Sequence, residues 1–177
     1  MEYKLKNGKT VLIRHPVVED AESIMNLIKT ADTETRFLAR NPGEFKYTLE
    51  QEKQLLENIQ KETTRTWFIA EYEGKIVGQC AVGYVRDNER FRHRGNVAFV
   101  VLQESAGIGI GGKLMEEAIK WAKSKGITQL ELDVVENNER AIKMYKGFGF
   151  ETIGIMPKAL KYLDGTYANE LIMVKQL

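Results

Sequence analysis

The sequence predicts a single α/β domain, residues 1–177, built on a mixed and mostly antiparallel central sheet with flanking helices. Three observations lead there. At 177 residues the chain has the length of one domain, because globular domains cluster around roughly 100–150 residues and seldom split below about 250. With 43% hydrophobic and 29% charged residues, it has enough apolar surface for a core and a mixed-sign surface to keep it in solution. Hairpin turns stand on both sides of one strand–helix–strand unit, so a single parallel pairing is expected among antiparallel ones.

The elements follow in order from local spacing. An alternating stretch from Tyr3 to Arg14, broken by Asn7-Gly8, reads as two strands around a turn. Glu19-Asp20-Ala21 then leads into Ile24, Met25, Leu27 and Ile28, one face of a helix. Residues 36–45 carry Pro42-Gly43 and read as a loop. A second helix follows Thr48, whose Thr-x-x-Gln start reaching Gln51 has the form of a capping box, with Leu55, Leu56 and Ile59 on the apolar side. Strands from Thr66 to Tyr72 and from Lys75 to Tyr84 flank the tight turn Glu73-Gly74. A polar turn over residues 86–94 precedes a buried strand from Asn96 to Leu102. The glycine-rich stretch after it opens a helix with Leu114, Met115, Ala118, Ile119 and Ala122 on one side, ending near Gly126. Leu130, Leu132 and Val134 mark another strand, and a short helix from Arg140 to Lys146 stops at Gly147. Two final strands flank Asp164-Gly165, which gives the order ββααβββαβαββ.

Composition excludes several classes of function. With 26 basic against 25 acidic residues the net charge is +1, so the strong basic field used to bind nucleic acid or a membrane surface is missing. Cys80 is the sole cysteine, which rules out an internal disulfide and a cysteine metal cluster; no metal is expected, and the chain reads as intracellular. Lying in the apolar run from Ile76 to Val82, Cys80 reads as a small buried hydrophobe. Met1 is followed by Glu2, Lys4 and Lys6, so no secretory leader is expected. No run reaches the roughly 18 apolar residues of a membrane span. A cytoplasmic protein acting on small molecules or ordinary proteins is the expectation, with a homodimer left open.

The most informative residues are Gly107, Ile108, Gly109, Ile110, Gly111 and Gly112. A glycine-rich turn from a strand into a helix lets backbone N–H groups approach an anion, and phosphate is the expected ligand. Several templates compete. Gly107, Gly112 and Lys113 fit a P-loop, but Leu114 stands where the Mg²⁺-binding Ser or Thr is needed. Gly107, Gly109 and Gly112 fit a dinucleotide fingerprint, with Glu131 or Asp133 as the ribose carboxylate. That reading calls for alternating strands and helices, which the hairpins on either side contradict.

A third template covers more of the chain. From Val101 to Phe150 the sequence resembles the GCN5-related N-acetyltransferase (GNAT) family. The matching features are a strand ending at Val101, then Gly109-Ile110-Gly111-Gly112-Lys113-Leu114, the strand from Leu130 to Val134, and Asn138-x-x-Ala141-x-x-x-Tyr145-x-x-x-Gly149-Phe150. The stretch from Arg14 to Ile28 also looks like the family's first strand and helix, so the resemblance spans nearly the whole chain.

The resemblance implies acetyl-CoA as cosubstrate, with its pantetheine arm beside Phe99, Val100 and Val101 and its diphosphate on the six residues Gly107 to Gly112. Lys113 is a further phosphate candidate, although a solvated helix lysine is the preferred reading. Asn138 matches an asparagine that contacts the cofactor and also suits a helix N-cap; the two roles are compatible. Tyr145 matches the tyrosine facing the thioester sulfur, where a phenol can protonate the leaving thiolate. Asp133 falls where some members carry a base for the amine, with solvent as the alternative. Two positions depart from the pattern. Asn96 stands where many relatives have a glutamate, and Ala106 replaces an Arg or Gln that contacts the diphosphate.

The expected activity is direct transfer of acetyl to a primary amine of a small molecule or a protein N-terminus, without a covalent enzyme intermediate and without Cys80. Acceptor contacts are expected from Phe37, Leu38 and Phe45 and from Lys158, Tyr162 and Tyr167 of the C-terminal hairpin, with Glu170, Glu71 and Glu73 as acids that could attract a cation. A non-catalytic acyl-CoA-binding regulatory domain is the alternative that Ala106 and Asn96 suggest, and a dinucleotide-binding protein is a further one.

Overall fold

A computed structural model describes residues 1–177. Strands β1 (Glu2–Lys4) and β2 (Thr10–Arg14) pair around a turn in which Asn7 Oδ1 accepts from the Lys9 amide at 3.1 Å. A single 3-10 turn, Val18–Asp20, leads into α1 (Ala21–Glu34), whose Ile24, Leu27, Ile28 and Ala31 fall on one buried stripe. Helix α2 (Leu49–Lys61) begins with the expected capping box: Thr48 Oγ1 accepts from the Gln51 amide at 3.2 Å, and Gln51 Oε1 accepts from the Thr48 amide at 2.9 Å.

Next come β3 (Arg65–Tyr72), β4 (Lys75–Tyr84) and β5 (Arg94–Val101), then α3 (Ile110–Ser124), β6 (Gln129–Val135), α4 (Glu139–Gly147), β7 (Glu151–Lys161) and β8 (Tyr167–Gln176). The order is the one the spacing predicts. Strand β5 starts two residues earlier than expected because Arg94 forks onto Glu131 of β6 and extends the pairing. No helix is long and apolar enough to cross a membrane.

One sheet runs β1-β2-β3-β4-β5-β6-β8-β7, and every neighbouring pair is antiparallel except β5 with β6. A doubly wound dinucleotide fold needs a mostly parallel sheet, so that alternative fails here. Helix α3 buries Ile110, Leu114, Met115, Ala118 and Ala122 in the same core as Phe68, Ala70, Cys80 and Val82. Complete burial of each large side chain is worth about 1.5–3 kcal/mol, which pins α3 to this face. Helices α1 and α2 cover the other face, where Ile24, Ile28 and Leu56 meet Ile69. Glu52 of α2 is 1% exposed, and neither of its carboxylate oxygens has a hydrogen-bond partner.

The feature that creates the site lies between β5 and β6. They pair only through Arg94, Gly95 and Asn96 against Gln129, Leu130 and Glu131, and beyond that point they diverge.

Candidate active site

Bond parity decides which main-chain groups face the gap. The Leu102 amide donates to the Val77 carbonyl at 2.9 Å, and the Val85 amide to the Arg94 carbonyl at 3.1 Å. In an antiparallel pair the bonded residues alternate, so the even-numbered residues of β5 are those that bond to β4. Phe99 and Val101 therefore turn their N–H and C=O groups into the gap. Val100 does not. It lies opposite Gln79 in the bonded register, so its main-chain groups point to β4 and only its side chain lines the cleft. The expectation of three open-edge residues is corrected to two. On β6 the Glu136–Asn169 and Leu177–Thr128 bonds set the same alternation toward β8, which leaves the main-chain groups of Asp133 and Val135 facing the gap.

The gap widens into a cleft of about 1390 Å³ that runs from residues 96–101 and 132–135 to the glycine loop and α4. At the loop end, Gly107 (φ 84°) and Gly109 (φ 109°) sit in the left-handed region that favours glycine. Gly111 lets α4 approach closely: a Cβ there would lie 3.0 Å from Met144 Sδ, which would have to shift. These constraints expose the backbone. None of the six amides from Gly107 to Gly112 donates a hydrogen bond within the protein, and the first helical bond comes from the Lys113 amide to the Gly109 carbonyl at 3.2 Å. Six consecutive free donors at the positive end of a 15-residue helix form an anion cradle. The loop is tied back to α1, where Glu34 accepts from the Gln103 amide at 2.9 Å.

Tyr145 of α4 lies on the α3 side of the sheet, 7% exposed, with its ring 6.1 Å from Phe99 and 5.9 Å from Phe150. Burial pushes its phenol pKa well up, and the adjacent Cys80 adds to the same direction, so the hydroxyl keeps its proton. Cys80 itself is completely buried, and burial raises its thiol too, which leaves it neither reachable nor ionised.

Strand alternation puts Asn96, Ala98, Val100 and Asp133 on the opposite side of the sheet from Phe99 and Tyr145. Glu170 of β8 joins them, because Val135 pairs with Glu170 and so places it diagonally next to Asp133. Burial raises the Glu170 carboxyl above its ordinary value, and the Asp133 charge raises it further. The cleft thus presents a protonated phenol on one face of the sheet and two carboxyl groups on the other.

The expected acceptor residues divide. Phe37 and Leu38 line the cleft. Phe45 packs against the α1–α2 cluster, Lys158 and Tyr167 contact each other, and Glu71 and Glu73 are held by Arg14 and Lys9 in the N-terminal half of the sheet. Tyr162 acts on the wall rather than in the cleft: its hydroxyl donates to the Arg36 carbonyl at 3.1 Å, and the Arg36 guanidinium stacks 3.9 Å over its ring. Arg36 also donates to Asp164 at 2.9 Å and to Thr166 at 3.1 Å, which joins the α1–α2 loop to the C-terminal hairpin. Asn138 caps α4, accepting from the Ala141 amide at 3.3 Å, and still borders the cleft. Lys113 is held by Glu116 at 2.8 Å. Sequence spacing missed Lys4, Leu5 and Lys6, which reach the cleft from the first turn, and Met144 and Phe148, which brace the loop from α4. Only the long-range arrangement of the chain reveals them. No group of His, Cys, Asp and Glu large enough to hold a metal ion is present.

Known proteins resemble this chain in sequence and fold. The acetyltransferase (GNAT) family model matches residues 26–150. A solved acetyltransferase of the GNAT family from Streptococcus pneumoniae superposes with a TM-score of 0.88 at 26% identity, covering 94% of this chain and 99% of that one. A ribosomal-protein-alanine N-acetyltransferase from Brucella melitensis superposes with a TM-score of 0.81 at 29% identity, covering 94% and 99%. By sequence, the spermine/spermidine N(1)-acetyltransferase of Bacillus subtilis is 30% identical over 110 residues, 60% of this chain and 66% of the relative. The chain spans 38% to 66% of the length of the first curated relatives it matches.

Proposed function

The chain belongs to the GNAT acetyltransferase family, and from that premise we propose that residues 1–177 form one N-acetyltransferase domain that moves the acetyl group of acetyl-CoA directly to a primary amine. The observation that carries this reading is the unbroken run of free amides from Gly107 to Gly112, continuous with an open strand edge that leads to Tyr145. A diphosphate fits the amides and an extended amide-bearing arm fits the edge. Bound acetyl-CoA supplies an activated thioester, and the remaining tasks fall to the chain.

The main-chain groups of Phe99 and Val101 hold and polarise a carbonyl-bearing arm in the gap. The Tyr145 hydroxyl holds a proton for the departing sulfur. Its raised pKa does not disqualify it, because the burial that raises the phenol also makes a thiolate beside it more basic. On the opposite face Asp133 takes up the proton that the amine must lose, directly or through a water. With acid and base on opposite sides of the sheet, the nucleophile approaches from one face and the leaving group departs toward the other. Asn96 contributes no base, so that work stays with the carboxyl groups of β6 and β8. The burial of Cys80 supports a direct route, since a covalent path would need an exposed, ionisable nucleophile.

Asp133 and Glu170 give the acceptor side a negative field that favours a cationic amine. Small-molecule amines and protein N-termini both satisfy that, and the relatives include one named for spermine and spermidine and one for a ribosomal-protein alanine. Calorimetric titration with CoA tests the cradle, and thiol release from acetyl-CoA across a panel of polyamines, amino acids and peptides tests the transfer. Binding without turnover on any amine would favour the non-catalytic acyl-CoA-binding domain instead.

A further inference from the structure

Ala106 leaves the glycine loop without a side-chain donor where the family signature carries Arg or Gln, and the fold brings a lysine to the loop from the N-terminal turn. The Lys6 amide donates to the Ile108 carbonyl at 3.1 Å. A Cβ on Gly109 would sit 3.9 Å from Leu5 Cδ2 and 3.9 Å from Lys6 Cγ, so the Lys6 stem runs alongside the loop. Leu5 is buried in the main core and anchors the turn there.

Lys4, Arg140 and Lys143 also line the cleft without an ion pair, but Lys6 is the one whose stem and main chain meet the glycine loop. Lys113, the other lysine at the loop, is neutralised by Glu116 at 2.8 Å, whereas Lys6 takes part in none of the chain's ion pairs. Gly109 is also the N-cap of α3, and an unpaired cation beside the positive end of a helix is unfavourable until an anion lies between them. A phosphate bound at the loop would supply the counter-charge that Lys6 lacks.

Resting on the acetyl-CoA reading above, we infer that Lys6 is the side chain that binds the diphosphate of the cosubstrate, taking the place of the residue missing at position 106. The amides hold the anion from inside the loop, and Lys6 neutralises it from the outer side. Lys6→Met keeps the aliphatic stem against Gly109 and removes only the charge, so it is the variant to titrate.

Calorimetry at low salt should show CoA and 3′-dephospho-CoA both weakened about tenfold, the usual scale for losing one hydrogen bond to a charged group. The deficit should shrink at high salt. Lys6→Arg should bind as wild type does, and Ala106→Arg added to Lys6→Met should restore affinity. The melting temperature of free Lys6→Met should stay level, whereas loss of a structural lysine would lower it. Unchanged affinity in Lys6→Met overturns the assignment, as does a deficit seen with CoA and absent with 3′-dephospho-CoA, which would place Lys6 on the ribose phosphate. Wild-type protein that takes up no CoA would overturn the functional reading along with it, whereas normal wild-type binding with an indifferent Lys6→Met overturns this inference alone.

Discussion

Replacing Tyr145 with Phe removes one oxygen atom, and the structure limits what that atom can be doing. The ring is 7% exposed and packs between Phe99 and Phe150, contacts that Phe keeps. Its hydroxyl is perturbed only by burial and by Cys80, with no hydrogen-bond partner in the protein, so its loss leaves no orphaned group. Folding stability should change by less than about 1 kcal/mol. Cosubstrate affinity should not change. The loss then falls on protonation of the departing sulfur. A positioned general acid typically contributes about 10²–10⁴-fold. Burial moves this phenol further above a thiol's value of about 8.5, toward the weaker end of that range. A drop of about 100-fold in kcat follows, or about 2.7 kcal/mol in the barrier, with KM for acetyl-CoA unaltered. Steady-state thiol release, paired with CoA calorimetry and a thermal melt, measures all three. If kcat stayed within about threefold while CoA still bound, the sulfur would be leaving without help from Tyr145, and the ring would be packing alone.

Other outcomes follow from the same geometry. Glu52 is buried with both oxygens unpaired, and burial raises its carboxyl pKa. A raised folded-state pKa gives stability that is complete below the unfolded value of about 4.3 and is lost as pH rises through the folded one. The cost of about 1–3 kcal/mol for an unsatisfied group outweighs the roughly 0.3–1 kcal/mol that an acid gains in the first turn of a helix. Glu52→Met should therefore stabilise the protein by about 1–2 kcal/mol at pH 8 and by less at pH 5, and equal gains in urea melts at the two pH values would refute this. Asp133→Asn should lower the Glu170 carboxyl pKa while leaving it above the ordinary range, since burial is the larger cause; a carboxyl NMR titration with no movement would show the two to be uncoupled. Arg36→Ala breaks an exposed ion pair, an exposed hydrogen bond and a stack on Tyr162, each worth at most about 1 kcal/mol, so the melting temperature should fall by only a few degrees. The amine KM should rise several-fold at constant CoA affinity, and an unchanged KM would mean that the joined loop and hairpin do not shape the acceptor side.

The parts legible from sequence are those that local physics decides. Thr48 and Gln51 carry their own helix start, Glu73-Gly74 its own turn, and Gly107 to Gly112 their own exposed backbone, so each is readable within a few residues. Val100 was misplaced because the direction of a strand's main-chain groups depends on which residue of the neighbouring strand it meets, and nothing within 99–101 encodes that. Lys6 was missed because it lies about a hundred residues from the loop it touches. Sequence offers Glu170 as a cation-attracting acid but not its neighbour, because only the insertion of β8 between β6 and β7 carries Glu170 to Asp133.

That insertion also explains why the gap is stable. Strand β5 stays bonded to β4 from Gly78–Val101 to Tyr84–Gly95, and β6 stays bonded to β8 from Gln129–Gln176 to Val135–Glu170. Each strand keeps one complete ladder, so parting exposes only the main-chain groups on the inner edges. Water or a ligand can satisfy those groups at little cost, whereas a strand stripped on both sides would leave the sheet. The sheet can thus hold an unpaired edge open in its middle, where an extended amide-bearing ligand can complete it, with a phenol on one side and carboxyl groups on the other.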